Sequence, residues 1–297
     1  MIHLIGLTGV FAISFAAIFF RYAGVSPTTA TFFRTLYALP ILFVVWRIVR
    51  RADRRPAAAR WLAALSGLVL AADLTLWHES IRRIGAGLGT VLANIQVVFV
   101  GAAAWLLQHE RPARRTLVVI PAVLGGVVLV SGLGRKDAYG VDPVGGVIFG
   151  VLAAAAYAAY ILQLRAANRT LAPSAGPLLD ATAGAAVGAF VMAPLDPAFS
   201  LQITWPAHAW LIALAIVCQV TGWLLIATAL PRLPALETST MLLAQPIGTL
   251  LLCVVLFDER LSVVQWIGVG VVTVGIAVLS TRTSAAGDGQ RNARADT

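Results

Sequence analysis

Charge is scarce in this chain, and what there is sits in short clusters. Asp, Glu, Lys and Arg make up 12% of 297 residues, against about 25% in an ordinary soluble protein. With 59% of residues apolar and a mean hydropathy of +0.87, a water-soluble surface cannot be built, so the bilayer must be the solvent. Cysteine is nearly absent. Cys218 and Cys253 lie inside apolar runs, which argues against a disulfide framework and for two buried thiols. Catalytic constellations are missing as well. His78-Glu79 has no second histidine at the right spacing, because Arg82 stands there, and His3, His109 and His208 are scattered. There is no G-x-S-x-G elbow, no phosphate loop and no Cys-x-x-Cys. Neither an enzyme nor a bound metal or cofactor is expected.

What the chain has in abundance is long apolar runs. A spanning helix needs about 20 residues, and ten runs qualify: 3–21, 29–49, 60–81, 84–108, 115–133, 143–165, 174–194, 207–230, 233–257 and 263–281. Pro and Gly punctuate several boundaries, and the connections are too short for a soluble domain. The first run ends at Phe19-Phe20-Arg21 without a small-residue cleavage motif, so it reads as a membrane helix. Residues 282–297 are polar and small and read as a disordered tail.

The net charge of +9 is distributed as topology signal, which implies contact with membrane lipid and no nucleic-acid partner. With the N-terminus inside, fifteen of the 22 basic residues fall on the cytoplasmic side, six fall outside, and Arg34 lies within a span. That bias places both termini in the cytoplasm.

The stretch Trp61–Ser131 lines up without a gap on Trp210–Ser280. Arg83 falls on Arg232, Gln96 on Gln245, Glu110-Arg111 on Glu259-Arg260 and Gly126 on Gly275. Apolar coincidences count for little, but Gln, Glu and Trp are scarce here. The expected architecture is therefore an all-α polytopic membrane protein, its ten helices forming two inverted five-helix repeats around a central cavity. Residues 1–133 form the first repeat, 134–142 a connecting loop, and 143–281 the second. An odd number of crossings turns the second copy upside down. Glu110-Arg111 then faces the cytoplasm and Glu259-Arg260 the outside.

Gln96 and Gln245 occupy equivalent mid-span positions. An amide in hydrocarbon needs a partner, either a neighbouring helix or a hydrated pocket, and both readings stand. Asn94 lies about 200° round the helix from Gln96, so the two cannot share a face. Pro246 removes a backbone donor and is expected to loosen the ninth helix, whereas its counterpart Val97 does not. Asp73 is costly at depth unless it is paired or hydrated. It shares a face with Trp77, which suits a cavity for an amino group beside an apolar side chain; pairing with Arg34 or protonation is the alternative. Glu79 is expected to pair with Arg82 or Arg83. Trp46, Trp61, Trp205, Trp210 and Trp266 read as interfacial, while Trp77, Tyr157, Tyr160 and Trp223 lie deeper, where a phenol or indole needs a partner. Glycine spacings such as Gly146/Gly150 and Gly184/Gly188 predict close helix packing.

The run from Ile84 to Val130 resembles the repeat of the drug/metabolite transporter superfamily. The run from Leu233 to Ser280, with Ala244-Gln245-Pro246 and Asp258-Glu259-Arg260-Leu261-Ser262, resembles it more closely. The likeness covers nearly the whole chain and is of the EamA type, similar to the YddG-like amino-acid exporter branch. It implies ten helices around a central cavity, working by alternating access on small-molecule substrates; whether the unit is a monomer or a dimer is left open by the sequence. By position, Gln96 and Tyr157 match places where exporters of aromatic amino acids tend to carry Trp, which fits a broader range. The essential Glu of the four-helix drug-efflux relatives has no counterpart in the first helix. Sugar-phosphate relatives would need basic pocket residues, and here only Arg34 is available. Amino-acid export leads, with efflux of cationic drugs as the alternative. The expected substrate-binding set is Asp73, Trp77, His78, Gln96, Tyr157, Tyr160, Trp223 and Gln245.

Overall fold

The computed structural model describes residues 2–108, 114–131, 138–167, 173–229 and 235–278. Glu110-Arg111, His109, the first part of the connecting loop and the 282–297 tail lie outside the described residues.

Ten helical rods follow one another, with no strand among the described residues. We label them α1 (Ile2–Ser14 continuing as Ala16–Ala23), α2 (Pro27–Val49), α3 (Ala57–Ile84), α4 (Ala86–Ala93 continuing as Gln96–Gln108) and α5 (Arg114–Ser131). Then come α6 (Pro143–Ala167), α7 (Ala175–Met192), α8 (Ala207–Ala229), α9 (Ala235–Phe257) and α10 (Val263–Val278). Among the described residues, seven helical stretches are long and apolar enough to cross a membrane, and three shorter apolar helices accompany them. The sequence-derived spans agree with these rods to within a few residues. Leu4, Ile48, Val128, Val191 and Val255 are all more than half exposed, as lipid-facing residues should be.

The packing explains why the duplication matters. α3 lies chiefly against α6 and α7, and α8 lies chiefly against α1 and α2. The 149-residue offset exchanges one set of contacts for the other, so the third helix of each copy is clasped by the first two of its partner copy. Small residues make this possible. A Cβ on Gly67 would strike the Ala181 carbonyl, and one on Gly184 would strike the Ala64 carbonyl. α3 and α7 thus approach backbone to backbone, an arrangement that lipid-embedded helices use where apolar burial drives nothing. α5 and α10 meet in the same way at Gly126 and Gly268.

Three of the described rods are irregular. α1 is interrupted at Phe15. There the Thr249 hydroxyl donates to the Ser14 carbonyl at 2.9 Å and the Cys218 thiol donates to Ala12 at 3.2 Å. α4 is interrupted at Asn94-Ile95, with the Asn94 amide donating back to the Thr90 carbonyl at 2.9 Å. α8 winds as a π-helix from Leu214 to Gly222, a form that recurs at functional positions. The expected loosening at Pro246 is not seen. α9 runs through Pro246 unbroken, and the break falls instead in α4, the copy without the proline. A proline need not unwind a helix whose neighbours hold it, and a short polar side chain that bonds its own backbone ends one without proline.

Candidate functional site

A polar cluster sits inside the bundle between α2, α3, α6, α7 and α8. Its centre is Arg34, which is buried to 3% exposure. The Arg34 Nε donates to Gln219 Oε1 at 2.9 Å, and Gln219 Nε2 in turn donates to Thr182 Oγ1 at 3.3 Å. Gln219 comes from the π-helical part of α8, and Thr182 from α7. The Arg34 Nη1 is buried without a hydrogen bond. Asp73, Tyr157, Tyr160 and Cys218 lie within electrostatic range of this guanidinium. Asp73 is buried too, yet no direct ion pair joins it to Arg34. Tyr157 and Tyr160 stack at 6.0 Å, and Trp223 meets Tyr157 edge-on at 6.3 Å. The cluster therefore offers one cation, one carboxylate and an aromatic wall, with hydrogen-bonding capacity to spare.

A second polar chain runs from α2 to α3. The Thr31 hydroxyl donates to the Pro27 carbonyl at 2.9 Å, while the Thr75 hydroxyl donates to Thr31 at 3.3 Å. His78 Nδ1 lies 3.1 Å from the Thr31 oxygen. Because Thr31 has already spent its proton, Nδ1 must carry the hydrogen, which leaves Nε2 as a bare acceptor. That Nε2 is buried with no partner, and so is the Trp77 Nε1 donor beside it. The His78 ring stacks on Phe20 at 4.1 Å.

Phe20 also forms the floor of a cavity of about 500 Å³ that opens between the α1–α2, α3–α4 and α5–α6 connections, with Arg21, Ile81, Arg82, Arg83 and Tyr139 among its walls. One edge is held by Glu259. Its carboxylate accepts from the Ala86 N–H at 2.8 Å, the Gly87 N–H at 3.1 Å and Arg21 Nη1 at 2.6 Å. A carboxylate from the α9–α10 connection thus terminates α4, where orphan N–H groups and the helix dipole favour negative charge. Burial pushes the Glu259 carboxyl above its ordinary range, against the pull of those donors. Gly85 makes the turn possible with φ of +87°. Glu79 pairs with both Arg82 and Arg83, as its position predicted.

At the other end Arg55 is bound at 2.8 Å by Asp53 and at 2.9 Å by Asp180, tying the α2–α3 connection to α7. The Arg55 hydrogen bonds hold the Asp53 carboxyl below its usual range. Ala57, Arg60, Trp61, Ala64 and Asp180 line a hollow of about 300 Å³ there.

Asp73, Trp77, His78, Tyr157, Tyr160 and Trp223 therefore surround or adjoin the cluster. Gln96 and Gln245 are half-buried on α4 and α9, and no hydrogen bond brings either side chain to it. Gln96 Oε1 is buried and unpartnered, while Gln245 takes part through its carbonyl, which accepts from Ser14 Oγ at 3.4 Å. Sequence reasoning did not single out Gln219, Thr182, Thr31 or Thr75, and weighed Arg34 as a partner for Asp73 and as the lone basic residue at depth, without placing it in the binding set. Gln219 carried a usable signal, as a lone amide in the apolar run from Leu211 to Ile226. Among the described residues, no three His, Cys, Asp or Glu side chains converge on a metal position.

A duplicated, glycine-packed ten-rod bundle with a polar interior is a transporter architecture, and the comparisons agree. The EamA-like transporter family matches residues 1–132 and again residues 144–281. The chain belongs to that family. An uncharacterized transporter, YwfM of Bacillus subtilis, is 25% identical over 225 residues, 74% of this chain and 73% of the relative. The uncharacterized protein PA1977 of Pseudomonas aeruginosa is 27% identical over 229 residues, 76% of this chain and 75% of its own length. A solved crystal structure superposes with a TM-score of 0.63 over 96% of this chain and 98% of that one, at 19% identity. That likeness speaks for the EamA-like fold alone.

Proposed function

We propose that this EamA-like transporter exports amino acids or related small metabolites across the bacterial inner membrane by alternating access. Both termini are placed in the cytoplasm, and residues 1–133 and 143–281 act as the two inverted units. The observation that carries this reading is the interior cluster, where Arg34 and Asp73 bring opposite charges close without a direct pair, next to Tyr157, Tyr160 and Trp223. Isolated buried charges are expensive, and intramembrane ones mark substrate paths. A small zwitterion with an apolar side chain supplies both counter-charges and fills the aromatic wall. The binding set is Asp73, Trp77, His78, Gln96, Tyr157, Tyr160, Trp223 and Gln245, to which Arg34 and Gln219 are added. Efflux of purely cationic drugs fits less well, because Arg34 repels a cation placed at the same depth.

Counterflow in proteoliposomes tests the proposal. A labelled amino acid should accumulate against its unlabelled form, and competition by other amino acids should define the range. Failure of every amino acid to exchange, with export of cationic dyes instead, would sink it.

A further inference from the structure

We infer that Arg34 is the seat of the substrate's carboxylate and Asp73 the seat of its ammonium group, so that the ligand itself bridges two charges the protein keeps apart. This rests on the proposed function and sharpens it, since it fixes which end of the substrate faces which helix and excludes ligands lacking either group.

Three observations support it. The Arg34 guanidinium is held in orientation, because Nε is anchored on Gln219, which is itself anchored on Thr182. Its Nη1 nevertheless has no acceptor, although the atom is buried. A guanidinium cannot shed its proton to escape such a position, and with no acid in contact this donor stays open to an acceptor from outside the chain. Second, the carboxylate that could have neutralised it is present and does not do so. Asp73 is within electrostatic range but makes no ion pair or hydrogen bond with any described residue. A protein that needed only to hide these two charges would bring them into contact, as it does with Arg55, Asp53 and Asp180. Third, the other polar groups of the cluster are uncharged. Tyr157 and Tyr160 lie in electrostatic range of Arg34, and Gln219 and Thr182 hold its Nε side, so none of the four brings a competing charge. A carboxylate on Arg34 gains a charge-assisted bond, and an ammonium on Asp73 gains another. Each seat alone leaves the other charge stranded, so ligands carrying both groups are selected over those carrying one.

The experiment uses the purified full-length chain in lipid nanodiscs and reads thermal stabilisation by ligand. The common L-amino acids are screened first, and the one with the largest shift is compared with its primary amide, its decarboxylated amine and its des-amino acid. In the wild type each analogue should bind about tenfold more weakly or worse. In Arg34→Gln the amino acid should fall to the level of its amide, while the amide itself changes by no more than about twofold. Arg34→Lys, which keeps the charge, should recover part of the preference for the acid. Asp73→Asn should instead erase the preference over the des-amino acid. The double variant Arg34→Gln with Asp73→Asn is neutral overall and controls for folding; it should melt like the wild type and bind none of the four with preference. An amide that binds the wild type as well as its acid would overturn the assignment of Arg34 while leaving amino-acid export standing, and so would an Arg34→Gln variant that still prefers the acid. If no amino acid stabilises the wild type, the export reading falls, and this inference falls with it.

Discussion

Arg34 and Arg55 are both buried arginines in the first half of the chain, and they are treated in opposite ways. Arg55, at one end of the bundle, is gripped by two carboxylates, with its side chain fully covered. Arg34, in the interior, has an amide on one nitrogen and no acid in contact. Each leaves its Nη1 without a bond, so the difference lies in charge. Arg55 is neutralised twice over, whereas Arg34 is not neutralised by contact at all. The first arrangement is what a joint between a loop and a helix needs. The second leaves a cation open to an outside partner, the role proposed for the substrate's carboxylate.

That contrast can be broken or sharpened by substitution. The largest effect on stability is expected from Arg55→Gln, which leaves the covered Asp53 without its cation and Asp180 with Arg60 alone; unfolding in detergent should become easier by about 3 kcal/mol. Arg34→Gln should lower amino-acid counterflow by about tenfold or more, yet leave the melting temperature unchanged or slightly raised, since it removes an uncompensated charge. If the two variants lost stability equally, the contrast would disappear.

Acid titration is the next test. Arg55 holds the Asp53 carboxyl below its ordinary value of about 3.9. A depressed folded-state value means that the stabilisation is fully present above the ordinary value and is lost as the pH falls through the depressed one. Melting should therefore be flat near neutrality and decline below about pH 4, and Asp53→Asn should flatten part of that decline. The smallest effect belongs to Arg82→Gln. Its side chain is 57% exposed in its pairing with Glu79, so the change in melting should amount to no more than about 0.5 kcal/mol. A larger loss would show that the cavity rim is more rigid than its exposure implies.

Much of the fold was legible because length and hydropathy dictate spans, and because scarce residues such as Gln96/Gln245 expose the duplication. The interior chemistry was less legible. Asp73, Trp77, His78, Tyr157, Tyr160 and Trp223 could be picked out as polar or aromatic groups at depth. Arg34 appeared as a charge for Asp73 to cancel and as the lone basic residue at depth, but not as the centre of a site, because sequence gives depth but not contact. Gln219, legible as a lone amide in an apolar run, was invisible to the comparison of repeats. The repeat pairs it with Leu70, so the duplication that drew attention to Gln96 and Gln245 gave no hint of it. Chemistry has diverged between copies that still share a backbone plan: the first supplies both interior charges, and the second supplies Tyr157, Tyr160, Thr182 and Gln219. The break at Asn94-Ile95 likewise depends on a local bond to Thr90 that no periodicity reports.

Glu259 gives the bundle a mechanical asymmetry. By gripping the start of α4 and the end of α1 at once, it rivets three segments of one wall into a single plate. A plate of that kind tilts as a whole, and any bending is left to the interruptions at Phe15 and Asn94-Ile95, deeper in the same two rods.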